Sequence, residues 1–258
     1  MLLAIDVGNT NVTLGLFSGE TSLGSWRLQT VSARTTDEYA LLVRRLLSDA
    51  GFELSQVADV ILASVVPALT PVMHLMAERV FSVRALEVGP GLKTGISVHY
   101  NPPSDVGADR IVNAVGARAR VHGACIVVDF GTATTFDCVD ARGGYRGGTI
   151  APGVDLAVSA LVQAAARLPR VDIRRPERAI GRTTVESIQS GAFFGYVALV
   201  DGLVSRLRAE LDPAARVLAT GGLAGPIAAE SDSIEIVAED LTLEGLRLIH
   251  SMNAKANR

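Results

Sequence analysis

Apolar positions follow two rhythms along this chain. Leu2–Val7, Val12–Phe17 and Leu23–Gln29 are short β-rich runs parted by Gly/Asn and Ser/Gly turn signals, which predicts three strands in hairpin succession. The period then changes. Tyr39, Leu42, Val43 and Leu46 fall at helical spacing behind Thr35, Thr36 and an acidic first turn, with Gly51 as a stop, so residues 37–47 predict a helix. Residues 60–65 predict a buried strand, 68–81 a helix, 85–88 a strand and 106–121 another helix, giving the order βββαβαβα.

The same order then starts again. Residues 125–128, 133–139 and 145–150 predict strands, 154–167 and 185–211 helices, 217–220 and 234–237 strands, and a last helix runs from Leu241. An internal repeat follows, supported by residues: AIDVGNTNVTLGLF around Asp6 and VVDFGTATTFDCVD around Asp129 both read apolar, apolar, Asp, x, Gly, hydroxyl or amide, then a second strand. Two βββαβαβα halves with an Asp-x-Gly turn after each first strand make the duplicated α/β architecture of the acetate-kinase, hexokinase, Hsp70 and actin-like fold, in which nucleotide lies in an interdomain cleft. The expected halves are residues 1–122 and 123–258.

Composition narrows the class. With 48% hydrophobic and 20% charged residues and a net charge of -3, the chain has globular composition rather than that of a disordered one. A pI near 5.8 argues against a nucleic-acid or anionic-membrane partner, either of which needs a basic footprint. The only lysines are Lys93 and Lys255, neither preceded by glycine, so no P-loop can be written. Cys125 and Cys138 form no CxxC pair and the four histidines no HExxH, which excludes a zinc-site pattern. Asp6 interrupts the apolar start and no basic n-region precedes it; with two cysteines only, this predicts a cytoplasmic setting. The most apolar stretch, 60–76, is broken by Ser64, Pro67, Thr70, Pro71 and His74, short of a membrane span.

Two further segments stand out. Residues 167–182 hold six arginines, diluted by Asp172 and Glu177, and read as a solvated loop with no assigned partner. The helix at 185–211 is apolar nearly all round (Phe193, Phe194, Tyr196, Val197, Leu199, Val200, Leu203, Val204), so either its own core or a second copy covers it.

The chemistry concentrates in the turns. Asp6-Val-Gly-Asn-Thr-Asn-Val-Thr sets a carboxylate at a strand end before a turn rich in N–H groups and hydroxyls, a pattern suited to phosphate oxygens and to Mg²⁺ held through water. An Asn/Gly hairpin with a satisfied Asp is the plainer alternative; the second turn, Asp129-Phe-Gly-Thr-Ala-Thr-Thr, strengthens the phosphate reading. Thr220-Gly-Gly-Leu-Ala would let a nucleotide approach backbone closely. Asp109 and Arg110 fall in the first turn of a helix. The acid alone is explained by the helix dipole, but the adjacent arginine is not, and the pair suits a hydroxyl-accepting base beside a cation that holds an anionic substrate.

Six motifs in order, DVGNTN, GADRIVNA (107–114), VVDFGTATTFD (127–137), GGTIAPGV (147–154), GRTTVESIQSG (181–191) and TGGLA (220–224), resemble those of type III pantothenate kinases through nearly the whole chain. Departures are small: Thr183 stands where that family often has Asn, and Pro102 precedes Pro103 where Asn-Pro is usual. The resemblance implies that Asp6, Val7, Gly8, Asn9, Thr10, Asn11, Val12 and Thr13 hold ATP phosphates and Mg²⁺, with Thr132 also on the nucleotide. It further implies that Asp129 binds K⁺ or NH₄⁺ and that Tyr100, Gly107, Ala108, Asp109 and Arg110 contact pantothenate, Asp109 as base. Thr184 would reach pantothenate from the neighbouring subunit, making a functional homodimer that also explains the apolar helix. The expected activity is ATP-dependent phosphorylation of pantothenate to 4′-phosphopantothenate in coenzyme A biosynthesis. The alternatives are a non-catalytic nucleotide-sensing accessory protein, disfavoured by the presence of Asp109, and a filament or chaperone ATPase, which needs a substrate domain that 258 residues do not contain.

Overall fold

A computed structural model describes residues 1–165 and 168–254. In chain order the elements are β1 (Leu2–Val7), β2 (Asn11–Ser18), β3 (Thr21–Gln29), α1 (Thr36–Asp49), β4 (Asp59–Ser64), α2 (Thr70–Phe81), β5 (Leu86–Glu87), β6 (Ser97–Val98) and α3 (Ala108–Arg120). They continue as β7 (Cys125–Phe130), β8 (Ala133–Val139), β9 (Gly144–Pro152), α4 (Val154–Ala164), α5 (Thr184–Leu211), β10 (Arg216–Gly221), α6 (Ala224–Ala228), β11 (Ile236–Val237) and α7 (Leu241–Ala254).

The repeat read from the sequence is present in the sheets. The first has the order β3-β2-β1-β4-β5; the second, traced from β9, runs β9-β8-β7-β10-β11, the same pattern, with β6 added beyond β9. In each, the first three strands pair antiparallel and the next joins the first in parallel. Even the irregularities correspond: pairing of the second and third strands shifts between Leu16 and Phe17 in one sheet and between Cys138 and Val139 in the other. β1 and β7 are the apolar runs LLAIDV and CIVVDF, buried on both faces as central strands must be.

The first unit is a three-layer sandwich. Leu3, Ile5, Leu14 and Leu16 meet Tyr39 and Val43 of α1 and Met73 and Met76 of α2, while Leu2, Ala4, Ile61 and Ala63 meet Val112 and Val115 of α3 and Leu243, Leu246 and Ile249 of α7. α1 starts where expected because Thr35 and Glu38 form a reciprocal capping box. In the second unit Ile126, Val128, Phe130 and Phe136 pack against Phe193, Val200 and Val204 of α5 and Ile227 of α6.

Several expectations change. Packing does not divide the chain at 122/123: residues from Leu241 belong to the first unit, because α7 covers one face of the first sheet, and Ser97–Tyr100 belong to the second, because β6 pairs with β9. α6 and β6 add to the expected elements; α6 restores a helix between β10 and β11. The expected helix end at Arg167 and the second lysine, Lys255, lie outside the described residues. α5 is not buried all round: Phe193, Val200 and Val204 are core, whereas Phe194, Tyr196, Val197, Leu199 and Leu203 are partly buried against it. α5 has the length and hydropathy of a membrane span, and Phe193, Val200 and Val204 set one of its faces in the core of its unit.

Candidate active site

In the first unit β1 gives way to β2 through residues 8–10. Asp6 therefore lies opposite Thr13 on one side and Ala63 of parallel β4 on the other. The Gly8 N–H donates to Asn11 O (3.0 Å). Thr30 brackets the turn from below: its N–H donates to Thr10 O (2.9 Å) and its hydroxyl to Gly8 O (2.7 Å). The base of the turn is thus tied down while Asn9 and Thr10 stand exposed. Thr30 is missing from the residues expected from sequence; its one signal there is a hydroxyl just past β3.

Asp109 reaches the same end of the sheet. Val65, just past β4, donates its N–H to Val7 O (3.0 Å), and Gly107 lies against Val65, since a Cβ on Gly107 would stand 3.4 Å from Val65 Cγ1. The start of α3 is thereby set at the carboxyl ends of β1 and β4, where open α/β sheets hold their ligands. A Cβ on Gly107 would also lie 2.5 Å from Asp109 Oδ1, so a side chain at this position would displace the Asp109 carboxylate. Asp109 Oδ1 accepts the Arg110 N–H (2.8 Å), and Arg110 is buried. Burial raises the Asp109 carboxyl above its ordinary value of 3.8, opposed by the Arg110 N–H and guanidinium. α3 is fixed by α7: Thr242 donates its hydroxyl to the buried Asn113 Oδ1 (2.7 Å), and Gly245 passes so close that a Cβ would lie 2.1 Å from Val112 O.

The second unit carries the matching turn. Asp129 pairs with Thr135 as Asp6 pairs with Thr13, so the first turn has one extra residue. The Gly131 N–H donates to Ala133 O (3.0 Å), and the Gly153 N–H donates to Thr132 O (3.0 Å), which sets the start of α4 on this turn. Thr220 of β10 is the other register neighbour of Asp129. The first glycine of the TGG motif has a structural role instead of a ligand-facing one: Gly221 has φ +92°, and a Cβ would lie 2.5 Å from Phe130 O. Gly222 has open space around it.

Tyr100 sits in the second unit, half-exposed, between strand β6 and the cis Asn101–Pro102 peptide. Thr184 opens α5 with its side chain exposed. Thr183 is the N-cap, its Oγ1 accepting the Glu186 N–H (3.2 Å); Asn at that position would cap equally well, so the departure from the family pattern changes little. The first unit therefore brings the Asp6–Thr13 turn and Gly107–Arg110 to one sheet end, whereas Tyr100, Asp129, Thr132 and Thr184 belong to the second. The arginine-rich segment borders a concavity of about 310 Å³, but Arg175 pairs with Glu230 (2.6 Å) and Arg178 with Glu177 (3.7 Å), in keeping with a solvated loop.

Among the described residues no three His, Cys, Asp or Glu side chains gather into a metal cluster. Each turn instead offers one carboxylate with hydroxyl neighbours in register, Thr13 for Asp6 and Thr135 and Thr220 for Asp129. Hard oxygen donors of this kind fit Mg²⁺ shared with phosphate, and a monovalent cation, better than a transition metal.

Paired 3-2-1-4-5 sheets with an Asp turn after each first strand define an actin-like kinase fold. The chain superposes on a ROK hexokinase from Thermus thermophilus with TM-score 0.50 at 12% identity, over 99% of each chain. It superposes on a protein described as a Baf family transcriptional activator from Campylobacter jejuni with TM-score 0.62 at 18% identity, over 98% of this chain and 99% of that one. Likeness at such identity shows the fold alone. Residues 2–206 match the family model for type III pantothenate kinase. Curated relatives of that name are 51% identical over 256 residues in Geotalea daltonii (99% of this chain, 100% of that protein) and 53% identical over 253 residues in Geobacter sulfurreducens (98% and 99%). The chain belongs to the type III pantothenate kinase family and is an enzyme, a kinase.

Proposed function

We propose that this kinase transfers the γ-phosphoryl group of ATP to a hydroxyl of pantothenate, giving 4′-phosphopantothenate for coenzyme A biosynthesis. The observation that carries the site assignment is Asp109 itself: a carboxyl of raised pKa beside a buried arginine, held at the carboxyl ends of β1 and β4 next to the Asp6 turn. Asp109 accepts the proton of the pantothenate hydroxyl; the hydroxyl oxygen bonds to the γ-phosphorus as its bond to the ADP oxygen breaks. The transition state of such transfers is usually loose, so positioning and charge neutralisation matter more than a strong base. Arg110 holds the anionic substrate, and Tyr100, Gly107 and Ala108 complete its contacts. The residues from Asp6 to Thr13 hold the ATP phosphates, and Thr132 also touches the nucleotide.

Asp6 is suited to hold Mg²⁺ through water and Asp129 a K⁺ or NH₄⁺ ion. Cations held by these two carboxylates would supply neutralisation of phosphate charge. The reading extends to a homodimer in which Thr184 of one copy completes the pantothenate contacts of the other. It is supported by the exposure of Thr184 and of large apolar side chains in the same unit: Ile180 is 81% exposed, Ile150 64% and Leu156 52%. A cytoplasmic setting is supported by two buried cysteines that form no disulfide, Cys125 with its thiol pushed up to about 11 by burial. Nothing observed favours the accessory-protein alternative, because the resemblance to the Campylobacter protein extends to the fold alone. The test is ADP release coupled to a reporter, with and without pantothenate, in K⁺ and then Na⁺. ADP release that pantothenate does not stimulate in any salt would overturn the reading.

A further inference from the structure

Tyr100 is the half-exposed end of a buried construction whose inner pair, Tyr145 and Asp137, has no assigned part in the chemistry of Asp109 or the phosphate turns. β6 runs parallel to β9, with Val98 opposite Tyr145, and the His99 N–H donates to Tyr145 O (2.8 Å). Backbone pairing thus brings the next residue, Tyr100, over Tyr145. The two rings meet edge to face, centroids 6.4 Å apart and planes at 60°. Tyr100 also lies over Gly147, where a Cβ would stand 3.4 Å from Tyr100 Cδ2. Tyr145 and Asp137 are fully buried, whereas Tyr100 is 36% exposed.

Tyr145 is itself held. Its hydroxyl donates to Asp137 Oδ1 at 2.7 Å, and Asp137 Oδ2 accepts the Thr135 hydroxyl at 3.2 Å. A fully buried carboxyl is costly unless hydrogen-bonded, so the fold keeps Asp137 only where donors meet it. An apolar residue at 137 with Phe at 145 would fill the same space at lower cost. What the polar pair adds is position: a short hydrogen bond at the far end of the Tyr145 ring fixes where that ring stands, and the ring meets Tyr100 edge to face.

We propose that Tyr145, tethered by Asp137, is a positioning residue that presets the ring of Tyr100 for pantothenate. The proposal rests on the reading that Tyr100 contacts pantothenate. A preset ring loses less rotational freedom on binding than a free one, so the effect falls on substrate affinity and not on transfer. Asp137 in turn sets Tyr145, and Thr135 sets Asp137.

The test is a double-mutant cycle on the full chain at saturating ATP, with Tyr145→Phe, Tyr100→Ala and the pair, and Asp137→Asn alongside. Tyr145→Phe should raise the pantothenate KM roughly three- to tenfold while kcat and the ATP KM stay within about twofold. Asp137→Asn keeps an oxygen to accept the Tyr145 hydroxyl, so its rise should be smaller. In the Tyr100→Ala background Tyr145→Phe should add nothing, because the residue it acts through is gone. An unchanged pantothenate KM in Tyr145→Phe, a rise that persists in full without Tyr100, or equal losses for both substrates each overturns the proposal. If Tyr145→Phe does not fold, Asp137→Ala, which removes the acceptor outright, replaces it in the cycle, and the same three results overturn the proposal. A parent enzyme that ignores pantothenate sinks the functional reading instead, and Tyr100→Ala with normal pantothenate KM sinks the placement of Tyr100 and the proposal with it.

Discussion

Asp109→Asn separates the two roles an acid can have at the start of α3. Asn keeps the size of the side chain and the oxygen that accepts the Arg110 N–H at 2.8 Å, but it cannot take up a proton. General-base assistance is worth roughly 10²–10⁴ in rate, so kcat should fall by that factor, equivalent to about 3–5 kcal/mol of transition-state stabilisation. The pantothenate KM should change much less, since Arg110 and Tyr100 remain. Stability should move the other way. Burial raises the folded-state pKa of Asp109 above 3.8, so the native chain binds more protons than the unfolded one between the ordinary and the raised value. Stability is therefore lost as pH rises through that window and is not regained at neutrality. Asp109→Asn removes the burden, so its Tm should equal or exceed that of the parent at pH 7, and the difference should close as pH falls toward 3.8. The acid limb of the parent's kcat/KM profile should likewise lie above the ordinary carboxylate value. Measuring kcat, both KM values and Tm from about pH 4 to about pH 8, a range that spans the ordinary carboxylate value and neutrality, decides the matter. Turnover near the parent's, with only a small change in Tm, would leave Asp109 as a helix-terminal acid and the base unnamed.

Phosphate binding led by backbone and hydroxyls predicts that Lys93→Ala and Lys255→Ala each keep the ATP KM within a few fold, while Asp6→Asn severely lowers kcat in steady-state assays; the reverse pattern refutes the phosphate placement. Activity should depend on K⁺ or NH₄⁺ and be weak in Na⁺, with Asp129→Ala insensitive to the exchange; equal parent rates in all three salts remove that cation site. Light scattering should give about twice 27.0 kDa, and Thr184→Ala should raise the pantothenate KM; a fully active monomer contradicts the dimeric reading. Gly221→Ala combines a positive φ with an approach of 2.5 Å to Phe130 O and should cost about 2–3 kcal/mol in chemical denaturation, and a loss under about 0.5 kcal/mol would show that the strands can part there.

Most of the scaffold is readable in the sequence because its signals are local. LLAIDV and CIVVDF are continuous apolar runs that only central strands bury, and the repeated Asp-x-Gly turn is enough to expose the duplication. β6 and α6 escape such a reading because two residues cannot display a period and because AGPIA contains both Gly and Pro. The assignment of α7 to the second half fails for a different reason. An amphipathic helix announces that one face is buried, but not which sheet buries it, and Leu243, Leu246 and Ile249 lie on the first. The site divides the same way. Asp6, Asp129 and Asp109 stand out as acids beside glycines at element ends, whereas Asp137 and Tyr145 lie within strands whose alternation does not show that the two side chains meet.

The return of α7 to the first sheet also orders events in time. A chain is made from its N-terminus, and the face of β1 and β4 formed by Leu2, Ala4, Ile61 and Ala63 lacks part of its cover until Leu243, Leu246 and Ile249 have been added. The later-made unit holds within residues 117–240 all of its strands except β6, which is already present. During synthesis, the half that begins first is therefore the half that is completed last, and the Asp109 helix acquires its Thr242 and Gly245 supports only at that closing step.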